Sequence, residues 1–248
     1  MSDNGKYIYG FTRSGATLGL TVNGIDGNQV FVISDNGVAA VVSDEPKGKL
    51  RPERKNLSAH NNVIKEVMKI STILPVSFGV VADNETGLKK ILKLNHDSFI
   101  NQLKKLEGKV EMGLKIAWDV ENIFEYMVRK HRTLELFRDN IFLKPTGATQ
   151  EEKLELGRMF ETVLNEDREK HLATVQGILK NYCCEIKANK PKDEITIMKL
   201  ACLVEKAKLE QFENGVFEAA KEFDDNFAFD FNGPWAPHNF VDIKLKTA

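Results

Sequence analysis

The segment 109-KVEMGLKIAW-118 restricts the fold more than any other part of the chain, because apolar residues occupy every second position along it. Successive side chains of a β-strand point to opposite faces of a sheet, so this spacing is typical of a strand with one buried face. The apolar face consists of Val110, Met112, Leu114, Ile116 and Trp118, and the opposite face carries Lys109, Glu111 and Lys115. We therefore predict a half-buried strand with its charged side chains toward solvent.

Helical and extended patterns alternate after this strand. The predicted elements are, in chain order, a helix over 119–140, a long helix over 149–180 opened by a Thr149–Glu152 capping box, strands at YCCEIKA and EITIMKLACLVE, a helix from about 206 and an extended segment reaching Phe231. The alternation of EITIMKLACLVE changes phase near Met198, so its second half could instead be a helix. Without the helix at 119–140 the order is β-α-β-β-α-β, which is the split βαβ, ferredoxin-like order. The sequence thus predicts a domain over 107–248 with a modified ferredoxin-like fold, an extra helix and a C-terminal tail.

The first part of the chain carries its clearest signal at Asn36-Gly37, which lies between two β-branched apolar runs. Both residues tolerate positive φ, as the tight turn of a two-residue β-hairpin requires. A strand over 6–11, a helix over about 53–70, a strand at ILPVSFG and one long helix from about Asn84 to Gly108 complete the predicted elements. We therefore predict an N-terminal α+β domain over 1–106, and an α+β fold of two domains for the whole chain.

Composition argues against several classes of partner. The formal net charge of −1 offers no broad positive field for nucleic acid or for an anionic membrane. No apolar run is long enough to cross a bilayer, and the first residues lack the pattern of a signal peptide. Cys183, Cys184 and Cys202 have neither the number nor the spacing of a disulfide framework or a zinc site, and we interpret them as buried thiols. We expect a soluble cytoplasmic protein that binds neither nucleic acid nor a membrane.

Motifs that carry chemistry are missing from the sequence. The glycine-rich stretch SGATLGLTVNGIDG lacks the GK[ST] ending of a phosphate-binding loop, and neither HExxH nor GxSxG occurs. The acidic group Glu222, Asp224, Asp225 and Asp230 lacks the ligand pattern of a calcium loop, and the basic run 129-RKHR-132 is typical of a solvated helix face. The sequence therefore predicts no catalytic residue, no cofactor and no metal.

Two of the polar residues nevertheless leave alternatives open. His60 lies near the apolar stripe of its helix, which suits either a general base or a histidine hydrogen-bonded at a domain junction, and the second interpretation is favoured because no nucleophile is near. Either Cys183 or Cys184 could meet Cys202 across the sheet as packed thiols.

The segment 231-FNGPWAPHNFV-241 holds aromatic residues on a chain stiffened by two prolines. It follows the last strand, so it must lie on a surface already formed. Its side chains could fill a domain seam or could bind a partner, and we favour the seam because an exposed apolar tail promotes aggregation. The candidate residues for the domain seam or partner contact are Phe231, Pro234, Trp235, Pro237 and Phe240.

Six segments, in this order, resemble the GvpF/GvpL family of gas vesicle proteins, with the F form closer than the L form. They are Tyr7-Ile8-Tyr9-Gly10, 37-GVAAVVS-43, 56-NLSAHNNVIKEVM-68, 74-LPVSFG-79, 108-GKVEMGLKIAWD-119 and 233-GPWAPHNFV-241. The pattern of the family usually has an aromatic residue at the position of His238.

The resemblance implies a two-domain α+β protein whose second domain is a modified ferredoxin-like fold without enzymatic activity. It also implies a minor structural or assembly protein of the gas vesicle that contacts the main wall protein GvpA and other accessory Gvp proteins. The alternative is an enzyme or small-ligand-binding protein with its site in an interdomain cleft, near His60 and Trp118. An RNA-binding module is disfavoured by the balanced charge.

Overall fold

The computed structural model describes residues 5–15, 21–44 and 50–246. Part of the glycine-rich stretch, residues 16–20, lies outside the described residues. The chain divides into two compact units, an N-terminal unit of Met1–Glu111 with Pro234–Ala248 and a C-terminal unit of Met112–Gly233. The predicted domains, 1–106 and 107–248, stay a prediction, because compactness does not show which segments fold independently.

The N-terminal unit combines one antiparallel sheet with three helices in the part of the chain that the structure describes. Its elements are β1 (Lys6–Arg13), β2 (Phe31–Asp35), β3 (Val38–Asp44), α1 (Arg54–Ile70), β4 (Leu74–Pro75), β5 (Val81–Ala82), α2 (Glu85–Leu94) and α3 (His96–Leu106). The sheet order is β2-β3-β1-β4, and β5 also pairs with β1. The predicted hairpin is confirmed, since Asp35 pairs with Val38 and the turn residues Asn36 and Gly37 have φ values of 42° and 88°.

Strand β1 lies at the centre of this sheet, and its side chains are buried from Lys6 to Thr12. Its register against β3 shifts between Ile8 and Gly10. Such a bulge changes which face the following side chains reach. Tyr7 and Tyr9 therefore pack with α1, whereas Phe11 stacks on Phe99 of α3 at a centroid separation of 4.3 Å.

The long helix predicted from Asn84 to Gly108 is wrong in one respect, because the chain bends at Asn95 between α2 and α3. The Asn95 side chain donates to the backbone oxygen of Ile91 at 2.8 Å and to that of Lys246 at 3.0 Å, and its own oxygen accepts from the Lys246 amide at 2.9 Å. An asparagine that bonds to backbone groups competes with regular helix geometry.

The C-terminal unit consists of a second antiparallel sheet and four helices within the described ranges. Its elements are β6 (Lys109–Trp118), α4 (Ile123–Lys130), α5 (Arg132–Phe142), α6 (Gln150–Leu179), β7 (Glu185–Asn189), β8 (Thr196–Glu205), α7 (Leu209–Ala220) and β9 (Phe227–Trp235). The sheet order is β7-β8-β6-β9, and the unit boundaries fall inside β6 and β9. The α+β class is thus observed, with two antiparallel sheets.

Strand β6 confirms the alternation read from the sequence. Val110, Met112, Leu114, Ile116 and Trp118 are all buried. Glu111 departs from the prediction, because only 7% of it is exposed although the pattern assigns it to the solvent face.

The helix predicted over 119–140 is two helices that meet at His131. Asp167 of α6, itself buried, accepts from Nζ of Lys130 at 2.9 Å and lies 3.1 Å from Nε2 of His131. The solvated-face interpretation of the basic run is therefore wrong for half-buried His131, whereas Lys130 is exposed as expected. The capping box at the start of α6 is confirmed, since Thr149 and Glu152 bond reciprocally.

Candidate functional site

A cluster of aromatic rings around His60 forms part of the interior of the N-terminal unit. Tyr7 and Tyr9 come from β1, His60 from α1, and Phe78 from the loop after β4. The ring centroid of His60 lies 5.7 Å from that of Tyr7 and 5.5 Å from that of Tyr9. Only 2% of His60 is exposed. A titratable ring is thus enclosed by apolar surface, which disfavours its charged form.

Hydrogen bonds fix the tautomer of this ring. The amide of Gly79 donates to the Tyr7 hydroxyl at 3.1 Å, and the hydroxyl lies 2.8 Å from Nδ1 of His60. Nε2 of His60 lies 3.2 Å from the oxygen of Val76, which can only accept. Nε2 therefore carries the proton and donates, while Nδ1 accepts from Tyr7.

Burial lowers the pKa of His60 to about 4, against a smaller raising effect of the hydrogen bond to Val76. Burial likewise raises the pKa of Tyr7 to about 12, although the Gly79 amide opposes the change. The ring is thus neutral near pH 7, and both of its nitrogens are occupied. These contacts confirm the interpretation of His60 as a hydrogen-bonded histidine and leave it no lone pair for a general base.

We define the tail segment as residues 234–246, which belong to the N-terminal unit. Its first turn is set by Pro237, whose oxygen accepts from the Phe240 amide at 3.0 Å. Phe240 is 0% exposed and Pro237 is buried, so both fill the interior of that unit. Trp235 is 50% exposed and Pro234 is also exposed. The segment therefore buries some of its candidate residues and presents others.

Phe231 lies in a different compact unit from the other four candidate residues. It lies in β9 within the C-terminal unit and is 37% exposed. The structure thus brings together Pro234, Trp235, Pro237 and Phe240 in one segment of the N-terminal unit. Whether any of these residues contacts a partner stays a prediction.

Glu111 binds the tail segment through two hydrogen bonds, and the sequence does not predict this contact. Its Oε2 accepts from the Asn239 amide at 2.8 Å, and its Oε1 accepts from Nδ2 of Asn239 at 2.6 Å. Bonds to a charged acceptor are about twice as strong as neutral ones. No local signal could have revealed this pairing, because the two residues are separated by 128 positions.

The tail segment helps to build a groove beside α1. Its cavity measures about 390 Å³. One wall comes from α1 and the other from the tail segment, with lining residues Ser58, Asn61, Asn62, Ile64, Lys65, Met68, Glu111, Pro234, Trp235, Ala236 and His238. Its lining combines amide, hydroxyl and charged side chains with apolar ones. Such a surface suits an apolar side chain of a polypeptide whose backbone bonds to the surrounding polar groups.

Within residues 5–15, 21–44 and 50–246, no group of three or more His, Cys, Asp and Glu side chains is arranged to hold a metal ion. Nor does any helix in these ranges have the length and apolar character needed to cross a bilayer.

Comparison with known proteins places the chain among proteins of the gas vesicle. The family model described as "Gas vesicle synthesis protein GvpL/GvpF" matches residues 5–242. Gas vesicle protein F of Nostoc sp. (strain PCC 7120) is 26% identical over 243 residues, covering 97% of this chain and 99% of the relative. Gas vesicle protein F of Streptomyces sp. (strain CB03234) is also 26% identical, covering 95% of this chain and 99% of that protein.

The fold of the chain matches a solved structure from the same group of proteins. The crystal structure of the gas vesicle protein GvpF from Anabaena sp. PCC7120 has a TM-score of 0.85 and 26% identity, and the match covers 97% of this chain and 99% of that one. The family model spans nearly the whole chain, across both compact units. The chain therefore belongs to the GvpL/GvpF family of gas vesicle synthesis proteins.

Proposed function

We propose that this protein is a minor structural or assembly protein of the gas vesicle, which binds the main wall protein GvpA and other accessory Gvp proteins during gas vesicle formation. It acts in the cytoplasm, against the wall, by binding rather than by catalysis. The observation that carries the proposal is the family match over residues 5–242. An enzymatic role centred on His60 finds no support, because hydrogen bonds occupy both ring nitrogens.

We further propose that the C-terminal unit is a modified ferredoxin-like fold. The order β7-β8-β6-β9 is the order that a β-α-β-β-α-β chain has in such a sheet. Two backbone hydrogen bonds at the end of β6 support antiparallel pairing with β8 and β9. The Trp118 amide donates to the oxygen of Ile195, just before β8, at 2.9 Å, and the Asp119 amide donates to the oxygen of Asn226, just before β9, at 2.7 Å. On this proposal α4 and α5 are additions to the core fold.

Trp235 is the residue that we propose contacts a Gvp partner. Its side chain is half-exposed at the edge of the groove beside α1, whereas Phe240 in the same segment is fully buried. Tryptophan is enriched among the residues that dominate binding energy at protein interfaces, because a large rigid ring loses little conformational freedom on docking. The main wall protein GvpA offers the apolar surface that such a ring would cover.

The test is a pull-down from cells that express the gas vesicle genes, with the affinity-tagged full chain as bait. Wild type is expected to retain GvpA and at least one accessory Gvp protein. The Trp235→Ala variant is expected to retain at least tenfold less GvpA, since loss of a central interface aromatic costs about 2 kcal/mol or more. A thermal melt of each bait shows whether the variant remains folded.

Phe217→Ala is the matched control, because Phe217 is an aromatic residue of α7 that is 58% exposed. It is expected to retain GvpA as wild type does. If Trp235→Ala and Phe217→Ala retained equal amounts of GvpA, Trp235 would not be part of the contact. Failure of wild type to retain any Gvp protein would overturn the proposed function.

A further inference from the structure

Two of the three cysteines lie against each other in the C-terminal unit. Cys202 of β8 is 0% exposed and belongs to the core of this unit, and half-buried Cys183 packs against that core from the turn after α6. The Cys184 amide donates to the oxygen of Leu203, the neighbour of Cys202, at 2.7 Å, so this turn lies directly beside β8, and the Cys202 thiol donates a hydrogen bond to that of Cys183. The thiol of Cys183 also lies 3.1 Å from the backbone oxygen of Leu179. The pair thus connects the end of α6 with the middle of the sheet.

Solvent reaches only one member of this pair. A surface cavity of about 390 Å³ is lined by the last turn of α6, the turn after it and the start of β7. Cys183 and Cys184 line the cavity, and Cys202 does not. A small solute in this cavity can therefore meet Cys183, whereas Cys202 is fully buried.

The environment of Cys183 favours its thiolate, which is the reactive form of a cysteine. The hydrogen bond from Cys202 lowers the pKa of Cys183 and outweighs the opposing effect of burial. Lys180 and Glu185 line the same cavity, so its charged side chains carry both signs. Cys184 is exposed and has no such thiol partner: its sulfur lies 3.9 Å from a carboxylate oxygen of Glu205.

We propose that Cys183 and Cys202 form a reversible thiol–disulfide site, in which Cys183 reacts first and Cys202 resolves it. The co-reactant is a small hydroperoxide such as hydrogen peroxide. This inference goes beyond the proposed function and does not depend on it. The expectation from sequence that all three cysteines are buried is wrong for Cys184, and Cys183 is only half-buried.

The reaction balances in two steps. The thiolate of Cys183 attacks one oxygen of the peroxide, the O–O bond breaks, and a sulfenic acid and hydroxide form. Cys202 then gives up its proton and attacks the sulfenyl sulfur, so that the S–O bond breaks and the second oxygen leaves as water. Two thiols are oxidised, one peroxide is reduced, and two waters are released. A thiol reductant reverses the bond, as expected for a cytoplasmic disulfide.

The new bond would tie the turn after α6 to strand β8. Before oxidation, this turn is held through the Cys184 amide, which donates to the Leu203 oxygen at 2.7 Å, and through the hydrogen bonds of Cys183. A covalent link replaces the contact between thiols and restricts the cavity wall at Cys183.

The experiment treats the reduced full-length protein with increasing hydrogen peroxide, blocks remaining thiols with N-ethylmaleimide, and maps tryptic peptides by mass spectrometry. Trypsin separates residues 181–187, which hold Cys183 and Cys184, from residues 200–206, which hold Cys202. Wild type is expected to yield these peptides joined, with the summed mass of the two peptides minus two hydrogen atoms plus one N-ethylmaleimide on Cys184, and with full recovery of the separate peptides after reduction.

Variants assign the bond to one sulfur. Cys184→Ser changes an exposed neighbour and is expected to keep the link, whereas Cys183→Ser is expected to lose it. A bond between Cys183 and Cys184 in wild type, or a link that persists in Cys183→Ser, would overturn the proposal. The proposal would also be overturned if all three thiols remained fully alkylatable after treatment with peroxide. Cys202→Ala, checked by its thermal melt, is expected to leave Cys183 as a sulfenic acid that reacts with dimedone.

Discussion

Protonation of His60 would introduce a positive charge among Tyr7, Tyr9 and Phe78, and would abolish the acceptor at Nδ1. The pKa of His60 in the folded protein is about 4, below the value of about 6.5 expected for the unfolded chain. The stability that this residue contributes is therefore fully present above about pH 6.5 and is lost as the pH falls toward about 4. Between about pH 7 and pH 5 the loss is about 2 kcal/mol.

Urea denaturation of wild type and His60→Gln at both pH values measures this contribution. The free energy of unfolding of wild type is expected to fall more steeply than that of the variant. His96→Gln is the control, because His96 is on the surface and its pKa is raised, chiefly by Asp97. Its removal should not flatten the pH dependence. Parallel curves for wild type and His60→Gln would contradict the neutral buried ring.

The tail segment allows a second prediction at the scale of single residues, since its two large aromatic side chains differ in exposure. Phe240→Ala removes a fully buried ring and is expected to lower the free energy of unfolding by about 3–5 kcal/mol, because it leaves a cavity. Trp235→Ala removes a half-exposed ring and is expected to cost about 1 kcal/mol or less. Chemical denaturation of each variant measures the difference, and equal losses would contradict the assignment of Phe240 to the interior.

At the scale of elements, local patterns predict where most helices and strands lie but not where two of the helices break. The apolar stripes continue through Asn95 and His131, so periodicity alone predicts one helix in each place. Both breaks coincide with partners distant in the chain: Lys246 for Asn95, and Asp167 for His131. The burial of Glu111 is unpredicted for the same reason, because its partner Asn239 lies 128 positions away. Such pairs leave no trace in a local window.

Asp167 fixes the junction of α4 and α5 on α6, and this contact yields a further prediction. Burial would raise the pKa of Asp167, but the hydrogen bonds from Lys130 and His131 outweigh it and lower the pKa. Asp167 is buried, whereas Lys130 is exposed and can be solvated when its partner is lost. Asp167→Asn therefore weakens hydrogen bonds to a charged acceptor and is expected to lower the free energy of unfolding by about 2 kcal/mol at neutral pH.

Glu166→Gln supplies the matched control, since Glu166 is the exposed neighbour of Asp167 on the same helix. Its effect on the free energy of unfolding in urea should stay within about 0.5 kcal/mol. Hydrogen exchange of the amides around His131 is expected to rise in Asp167→Asn and not in Glu166→Gln. Unchanged exchange in both variants would show that Asp167 does not hold the junction.

At the scale of the whole molecule, the sequence predicts the fold class because turn and alternation signals are local, as at Asn36-Gly37 and in β6. The placement of the chain end is not local. Asn239 bonds to Glu111, and Lys246 bonds to Asn95 across 151 positions, so the last residues complete a unit that the first residues begin. Contacts of such long sequence separation form only after a costly loop closure, which slows their formation in folding.

This connectivity predicts that the N-terminal unit is incomplete without the chain end. A variant that stops after Gly233 lacks the buried side chains of Ala236 and Phe240 and leaves the Glu111 carboxylate without its Asn239 partner. Loss of these contacts is expected to raise hydrogen exchange in peptides from β1 and α1 at least tenfold, since about 1.4 kcal/mol of local stability corresponds to each factor of ten.

Peptides from α6 are the control for this truncation, because they belong to the contiguous C-terminal unit and are expected to keep their protection. Restoring protection by adding a synthetic peptide of residues 234–248 would show that the contacts themselves, rather than chain length, complete the unit. Full protection of β1 in the truncated chain would contradict the prediction, because it would mean that the N-terminal unit closes its core without Phe240.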